Sequence, residues 1–280
     1  MKFAAFRYDG SRAFSMKDLR PWDIQGISNK EESLEILQKN RKKIHALQNK
    51  LYAQGTQGLI LLFQAMDAGG KDGTIKHVFS GVNPSGILVT NFKSPNSDDL
   101  SHDYLRRVHQ AVPPRGSIGI WNRSHYEDVL IAKVRNLPDR HIFPDAERLW
   151  DQRYEQIRRF EDYLSQNGYR IMKFYLHLSK KEQKKRLLAR IEDPRKHWKF
   201  SPEDLRTRAQ WTAYMDAYTR CINETAAVHA PWYVIPADHK WYLRALVSGL
   251  VRKELEDMNP AYPSLSKEEA KAMKAAEKRL

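Results

Sequence analysis

The chain has 280 residues, a single cysteine and a formal net charge of +14, from 48 Lys and Arg against 34 Asp and Glu. That length allows one large domain or two small ones, each with a sizeable core. One cysteine excludes an internal disulfide framework and a cysteine metal cluster, and the positive balance favours polyanionic partners over neutral ones.

The amino terminus, Met1 to Phe14, has no apolar core of export-signal length. The longest apolar run, Leu59 to Phe63, is far short of the ~20 residues that span a bilayer. A soluble, cytoplasmic protein with no membrane partner is the expectation.

Residues 1–28 show no sustained periodicity and read as an amino-terminal arm lying on the domain surface. Ser28 to Glu31 makes a capping-box pattern that starts a helix, carried by Leu34, Leu37, Ile44, Leu47 and Leu51 to a glycine stop at Gly55. Gly58 to Gln64 reads as a buried strand, followed by glycines and a helix from Lys71 to about Phe79. A turn at Asn83 to Gly86 leads into a second strand, Ile87 to Phe92. A helix from Ser97 to Ala111 follows, with Ser97 as cap.

Ser117 to Trp121 is the third strand, Pro144 to Ser165 a long helix, Arg170 to Leu176 the fourth strand and Lys180 to Ile191 another helix. Such alternation implies a parallel sheet with helices on both faces. Asp193-Pro194 breaks the rhythm, and the polar, aromatic-rich stretch over about 193–227 reads as a lid. Trp232 to Pro236 returns as a strand and Lys240 to Met258 as an amphipathic helix. The main domain is thus 29–258, and 259–280 is a polar tail lying loosely at the surface.

Between the first strand and its helix lies Ala65-Met66-Asp67-Ala68-Gly69-Gly70-Lys71-Asp72-Gly73-Thr74. Glycines let backbone N–H groups converge on phosphate oxygens, the helix N-terminus adds positive dipole, and a lysine neutralises a transferring group. Ala68, Gly69, Gly70, Asp72, Gly73, Thr74 and Lys76 are the phosphate-binding candidates around Lys71. The loop departs from the standard P-loop pattern, with Ala65 for the first glycine and Asp72 where Ser or Thr would serve Mg2+. Asp67 is the candidate to hold that ion, since a hard cation prefers carboxylate and phosphate oxygens.

A second cluster, Trp121-Asn122-Arg123-Ser124-His125-Tyr126-Glu127-Asp128, directly follows the third strand. Ligands bind at the carboxyl ends of strands in open α/β sheets, so both clusters should face one crevice. Asn122 stands where a Walker-B carboxylate would, and it can coordinate or hydrogen-bond without supplying charge. Arg123 can clamp phosphate, and Glu127 can contact metal or an acceptor, whereas His125 and Tyr126 read as packing beneath the site. A basic run, Lys184, Lys185, Arg186, Arg190, Arg195, Lys196 and Lys199, describes either a solvated helix face or a polyanion grip. Arg186 and Arg190 are one turn apart and could fork onto one ligand.

Together with Pro231-Trp232-Tyr233-Val234-Ile235-Pro236, these two motifs resemble the polyphosphate kinase 2 family over about residues 30–258. The Asn-Arg-Ser-His-Tyr-Glu-Asp form of the second motif is similar to its class III. The resemblance implies a thymidylate-kinase-like P-loop α/β fold, three layers with a helical lid. It implies reversible phosphorylation of AMP to ADP and ADP to ATP by polyphosphate with Mg2+, or Mn2+ in its place. It implies that Lys71, Asp67 and Arg123 handle phosphate and metal, and that Asn122 and Glu127 bear on the nucleotide accepted, guanine nucleotides included. It also implies that Arg186, Arg190 and Lys199 meet the polymer, and a homo-oligomer, dimer or tetramer. Arg106 departs from the family pattern, standing where tryptophan is expected before Arg107. The rival enzyme reading is an ATP-dependent nucleotide kinase of the same fold, which would normally carry a complete GKS or GKT. Nucleic-acid binding is suggested by charge alone and explains none of the loop.

Overall fold

In the computed structural model, which describes residues 3–137 and 145–280, the strands are β1 (Arg7–Tyr8), β2 (Gly58–Ala65), β3 (Ile87–Asn91), β4 (Ile118–Asn122), β5 (Tyr169–His177) and β6 (Trp232–Pro236). They form one six-stranded sheet in the order β1-β6-β5-β2-β4-β3. β2 lies at its centre with every residue buried, and Leu61 sits in parallel register with Ile120 of β4 and Met172 of β5. A nearly continuous apolar strand, broken by Gln64 alone, is what a sheet covered on both faces requires. The exception to parallel pairing is β1, where Arg7 and Tyr8 run antiparallel to Tyr233 and Trp232.

Helices flank the sheet in two groups. α1 (Lys30–Gln54) and α2 (Lys71–Val78) both pack on α10 (Lys240–Met258), while α6 (Ala146–Gln166) packs on β5 and on α9 (Trp211–Thr225). Pro144, where the sequence starts the long helix, lies outside the described residues; Asp145 caps the observed helix by accepting from the Arg148 N–H. The remaining helices are α3 (Ser97–Leu100), α4 (Arg106–Gln110), α5 (Ile131–Val134), α7 (Lys180–Glu192), α8 (Pro202–Ala209) and α11 (Lys267–Glu277).

Three local expectations shift. α1 is capped by Asn29 rather than Ser28: the Asn29 side chain accepts from the Glu32 N–H at 2.8 Å, and Glu32 Oε2 accepts from the Ser28 N–H at 2.7 Å. The expected helix over 97–111 is two short ones, with Asn96 and not Ser97 capping the first. Between them, Ser101 Oγ and His102 Nδ1 both lie 2.8 Å from the Asp98 carbonyl, and Asp103 Oδ1 takes the Leu105 N–H. Such side chains compete with the helical ladder. The tail over 259–280 contains α11, whose capping box joins Ser266 and Glu269 and which buries no residue.

The amino-terminal arm is anchored at several points. Phe6, Tyr8, Phe14, Leu19 and Ile27 are buried. The Phe14 backbone N–H and carbonyl both bond the Asn223 amide of α9, at 2.7 and 3.0 Å.

Candidate functional site

β2 ends at Ala65 and the chain turns through Met66 to Gly70 into α2. The turn is left-handed twice, with φ of 62° at Ala68 and 100° at Gly70, and glycine adopts such values without steric cost. Gly69 is needed for another reason. A Cβ there would lie 2.5 Å from the Ala65 Cβ and 2.8 Å from the Met66 carbonyl oxygen, which the Gly69 N–H already meets at 2.9 Å. Gly69→Ala is therefore expected to destabilise the fold by about 1–3 kcal/mol. By displacing the loop it should also lower turnover on the order of a hundredfold; urea unfolding and steady-state rates check the two effects.

The first turn of α2 leaves its leading N–H groups without helical partners and carries the positive end of the helix dipole. Arg186 of α7 fixes the opposite side of the loop. Its Nη1 donates to the carbonyls of Ala68 (3.1 Å) and Gly69 (3.3 Å), its Nη2 to those of Ala237 (2.6 Å) and Asp238 (2.9 Å), and its Nε to Glu182 (2.9 Å). A guanidinium has five N–H donors, and all are engaged. Gln183 adds a bond from its Nε2 to the Asp67 carbonyl at 3.1 Å. The sequence reading placed Arg186 on a polyanion; in the structure it binds the loop backbone.

Lys71 is half-buried, its Nζ 3.4 Å from the Ala65 carbonyl oxygen. Burial, and next the nearby Arg123 guanidinium, hold its ammonium below the ordinary lysine range, against the pull of Asp67, Glu127 and Asp72. Thr74 differs from its expected part: it is buried and its hydroxyl donates to the Gly70 carbonyl at 2.9 Å, inside the helix. Lys76 lies exposed on α2, and Gly73 sits in the first turn.

The second cluster arrives from β4. Arg123 is left-handed (φ 65°) and its N–H bonds the Phe63 carbonyl of β2 at 3.0 Å, so the residue leaves the sheet at the level of the loop. Its Nη2 donates to Asp67 Oδ1 at 3.1 Å and its Nη1 stands 3.5 Å from Glu127 Oε2. Both carboxylates strengthen its charge, Glu127 most. Glu127 is itself pushed up by burial, with Arg123 and Lys71 opposing. With its amide nitrogen turned to Glu127, Gln64 donates to Oε1 at 2.8 Å. Asn122 Nδ2 donates to Asp72 Oδ1 (2.7 Å) and to Asn91 Oδ1 (2.8 Å), tying the ends of β4 and β3 to the start of α2.

Asp67, Arg123 and Glu127 line a chamber of about 30 Å3 whose other wall is Leu130, Ile131, Thr207, Tyr214 and Tyr218. These last come from α5, α8, α9 and the segment before α5, and all but Leu130 lie outside the motifs. Beneath it, fully buried Lys173 Nζ donates to Glu161 Oε2 (2.6 Å), Tyr126 Oη (3.0 Å) and the Thr225 carbonyl (2.7 Å). The Tyr126 hydroxyl donates to Glu161 Oε1 at 2.8 Å. His125 and Tyr126 are both buried in this core, matching their reading as packing.

The basic run proves largely self-neutralised. Arg190 Nη1 donates to Asp204 of α8 at 2.9 Å and to the Lys199 carbonyl at 3.3 Å; Arg195 and Lys196 both pair with Asp193, at 3.0 and 2.8 Å. Lys199 lies 4.8 Å from the ring of Trp198, itself 77% exposed. Arg106, the departure from pattern, pairs with Asp98 at 2.6 Å.

Residues 27–263 match the family model described as polyphosphate kinase 2. An ADP-polyphosphate phosphotransferase of Rhodopseudomonas palustris is 44% identical over 254 residues, 88% of each chain. An AMP/ADP-polyphosphate phosphotransferase of Meiothermus ruber is 44% identical over 259 residues, 92% of this chain and 94% of that one. The solved polyphosphate kinase 2 of Arthrobacter aurescens superposes with a TM-score of 0.88 at 37% identity, covering 97% of this chain and 95% of that one.

Proposed function

Because the chain belongs to the polyphosphate kinase 2 family, we propose that its crevice brings the end of an inorganic polyphosphate chain in line with a nucleotide. The protein is a polyphosphate-dependent AMP/ADP phosphotransferase, and the ATP-dependent nucleotide kinase is not favoured. The observation that carries the mechanism is the convergence of Lys71, Asp67, Arg123 and Glu127 at the carboxyl ends of β2 and β4.

A terminal phosphate oxygen of the nucleotide attacks the end phosphorus of the polymer. The bridging P–O bond breaks, and its electron pair stays on the shortened chain. Such transfer asks the protein for position and charge more than for covalent chemistry. The leading N–H groups of α2 and Lys71 hold the phosphates in transfer, Arg123 covers the charge that develops, and Asn122 orients Asp72 at the loop's edge. Glu127, partly desolvated beside Arg123, faces the chamber on the acceptor side. The residues over 193–227 close this side as a lid, held to α7 through Arg190 and Asp204.

The donor set fits Mg2+. Among the described residues no group of three or more His, Cys, Asp or Glu could cage a metal, and Mg2+ characteristically takes one or two carboxylates plus substrate phosphates. Asp67 would hold it, or Mn2+ in its place, and the ion supplies neutralisation of phosphate charge. Among the described residues no helix is long and apolar enough to cross a membrane, and we place the enzyme in the cytoplasm as a homo-oligomer.

The test is nucleotide formation by purified protein with Mg2+ and polyphosphate as the sole donor, offering AMP, ADP, GMP and GDP. AMP should yield ADP and then ATP, with guanine nucleotides accepted in turn. Transfer that requires added ATP would overturn the reading, and ADP used without AMP would remove class III.

A further inference from the structure

The basic run accounts for little free positive charge beside the loop, yet two cations there have no ion-pair partner among the described residues. Arg244 and Lys240 stand one turn apart on α10. Arg244 is half-buried and reaches the first turn of α2, with its Nη2 3.6 Å from where a Gly73 Cβ would stand. Among the described residues neither side chain makes a hydrogen bond or an ion pair. Their neighbours are cationic: Arg186 Nη1 lies 3.6 Å from the Cβ position of Gly70, and its own donors are spent on carbonyls and Glu182. Burial and then Arg186 lower both groups below their ordinary ranges, with Glu182 opposing for Lys240 and Lys196 adding to its repulsion.

Like charges crowded at the positive end of a helix cost free energy unless an anion joins them. Resting on the proposed use of polyphosphate, we infer that Arg244 and Lys240 form a subsite for phosphates of the donor chain beyond the reacting end. Arg244 meets the chain as it leaves the loop, and Lys240, roughly 6 Å further along the helix axis, takes it onward. A nucleotide carries too few phosphates to need this track, whereas a flexible polymer gains affinity by releasing counterions at each cation.

The experiment compares Lys240→Gln, Arg244→Gln and the double variant with wild type, measuring KM for long-chain polyphosphate and for ADP across a salt series. The double variant should raise the polymer KM about tenfold near physiological salt and flatten its log–log salt slope by about 1.4, on the order of 0.7 per lost phosphate contact. The ADP KM should hold. Arg244→Lys should restore most of the slope, which a purely structural arginine would not allow, and exposed Lys240 gives a single variant that leaves packing intact. An unchanged slope in an active enzyme, or a rise in the ADP KM instead, overturns the subsite while leaving the proposed function standing. No transfer from polyphosphate by wild type removes both.

Discussion

Lys71→Ala is expected to cut phosphoryl transfer roughly 10³-fold or more without lowering the midpoint of urea unfolding. The two effects have one cause. The Lys71 ammonium is desolvated and faces the Arg123 guanidinium, so its charge is unfavourable in the resting fold, offset in part by Asp67, Glu127 and Asp72 and more fully when phosphate arrives. Removing such a group tends to leave stability equal or higher while activity falls. Asp67→Asn should behave alike, with a loss on the order of 10²- to 10³-fold, because the amide keeps the shape but not the charge set against Arg123 and a metal ion. Steady-state rates alongside unfolding curves check both; either variant retaining activity within tenfold of wild type removes that residue from the centre.

Lys173→Met should destabilise the protein by about 3–5 kcal/mol, since breaking a buried ion pair leaves an uncompensated charge. Glu161 has 2% of its side chain exposed. Burial alone would raise its carboxyl, but the Lys173 ammonium and His125 together outweigh it and hold the group below its usual range. Pairing Lys173→Met with Glu161→Leu should recover much of the loss, because apolar replacements of similar volume avoid the desolvation cost altogether. Denaturant unfolding of the two single variants and the double closes the cycle; equal losses in single and double would show that packing, not charge, dominates there.

The central strands were legible because β2, β4 and β6 are mostly apolar, as strands covered on both faces must be, and the loop because strand, glycines and lysine occur in that order. Caps were less so: Ser28 and Asn29 both suit the position, and only the reach of Glu32 selects the second. β1 could not be found in two residues whose partners lie at Trp232 and Tyr233. Among site residues, Arg186 carried the signal of a basic helix face, which says nothing of which way the face turns. It points inward, to the carbonyls of the loop. Tyr214 and Tyr218 lie in the stretch read as a lid, and in the structure they wall the chamber beside Glu127. Lys240 and Arg244 sit in an amphipathic helix whose pattern marks its core side only.

The pairing of β1 also has a consequence in time. Arg7 meets Tyr233, so the second cannot leave the ribosome until 226 residues (233 less 7) have followed the first. At roughly 5–20 residues per second that is about 11–45 s of synthesis. Throughout it, Phe6, Tyr8, Phe14 and Leu19, all buried at the end, have no β6 or α9 to cover them. A segment made well before its partners is among the last to find its place, and the nascent chain must carry a cluster of aromatic side chains in water until α9 and β6 arrive.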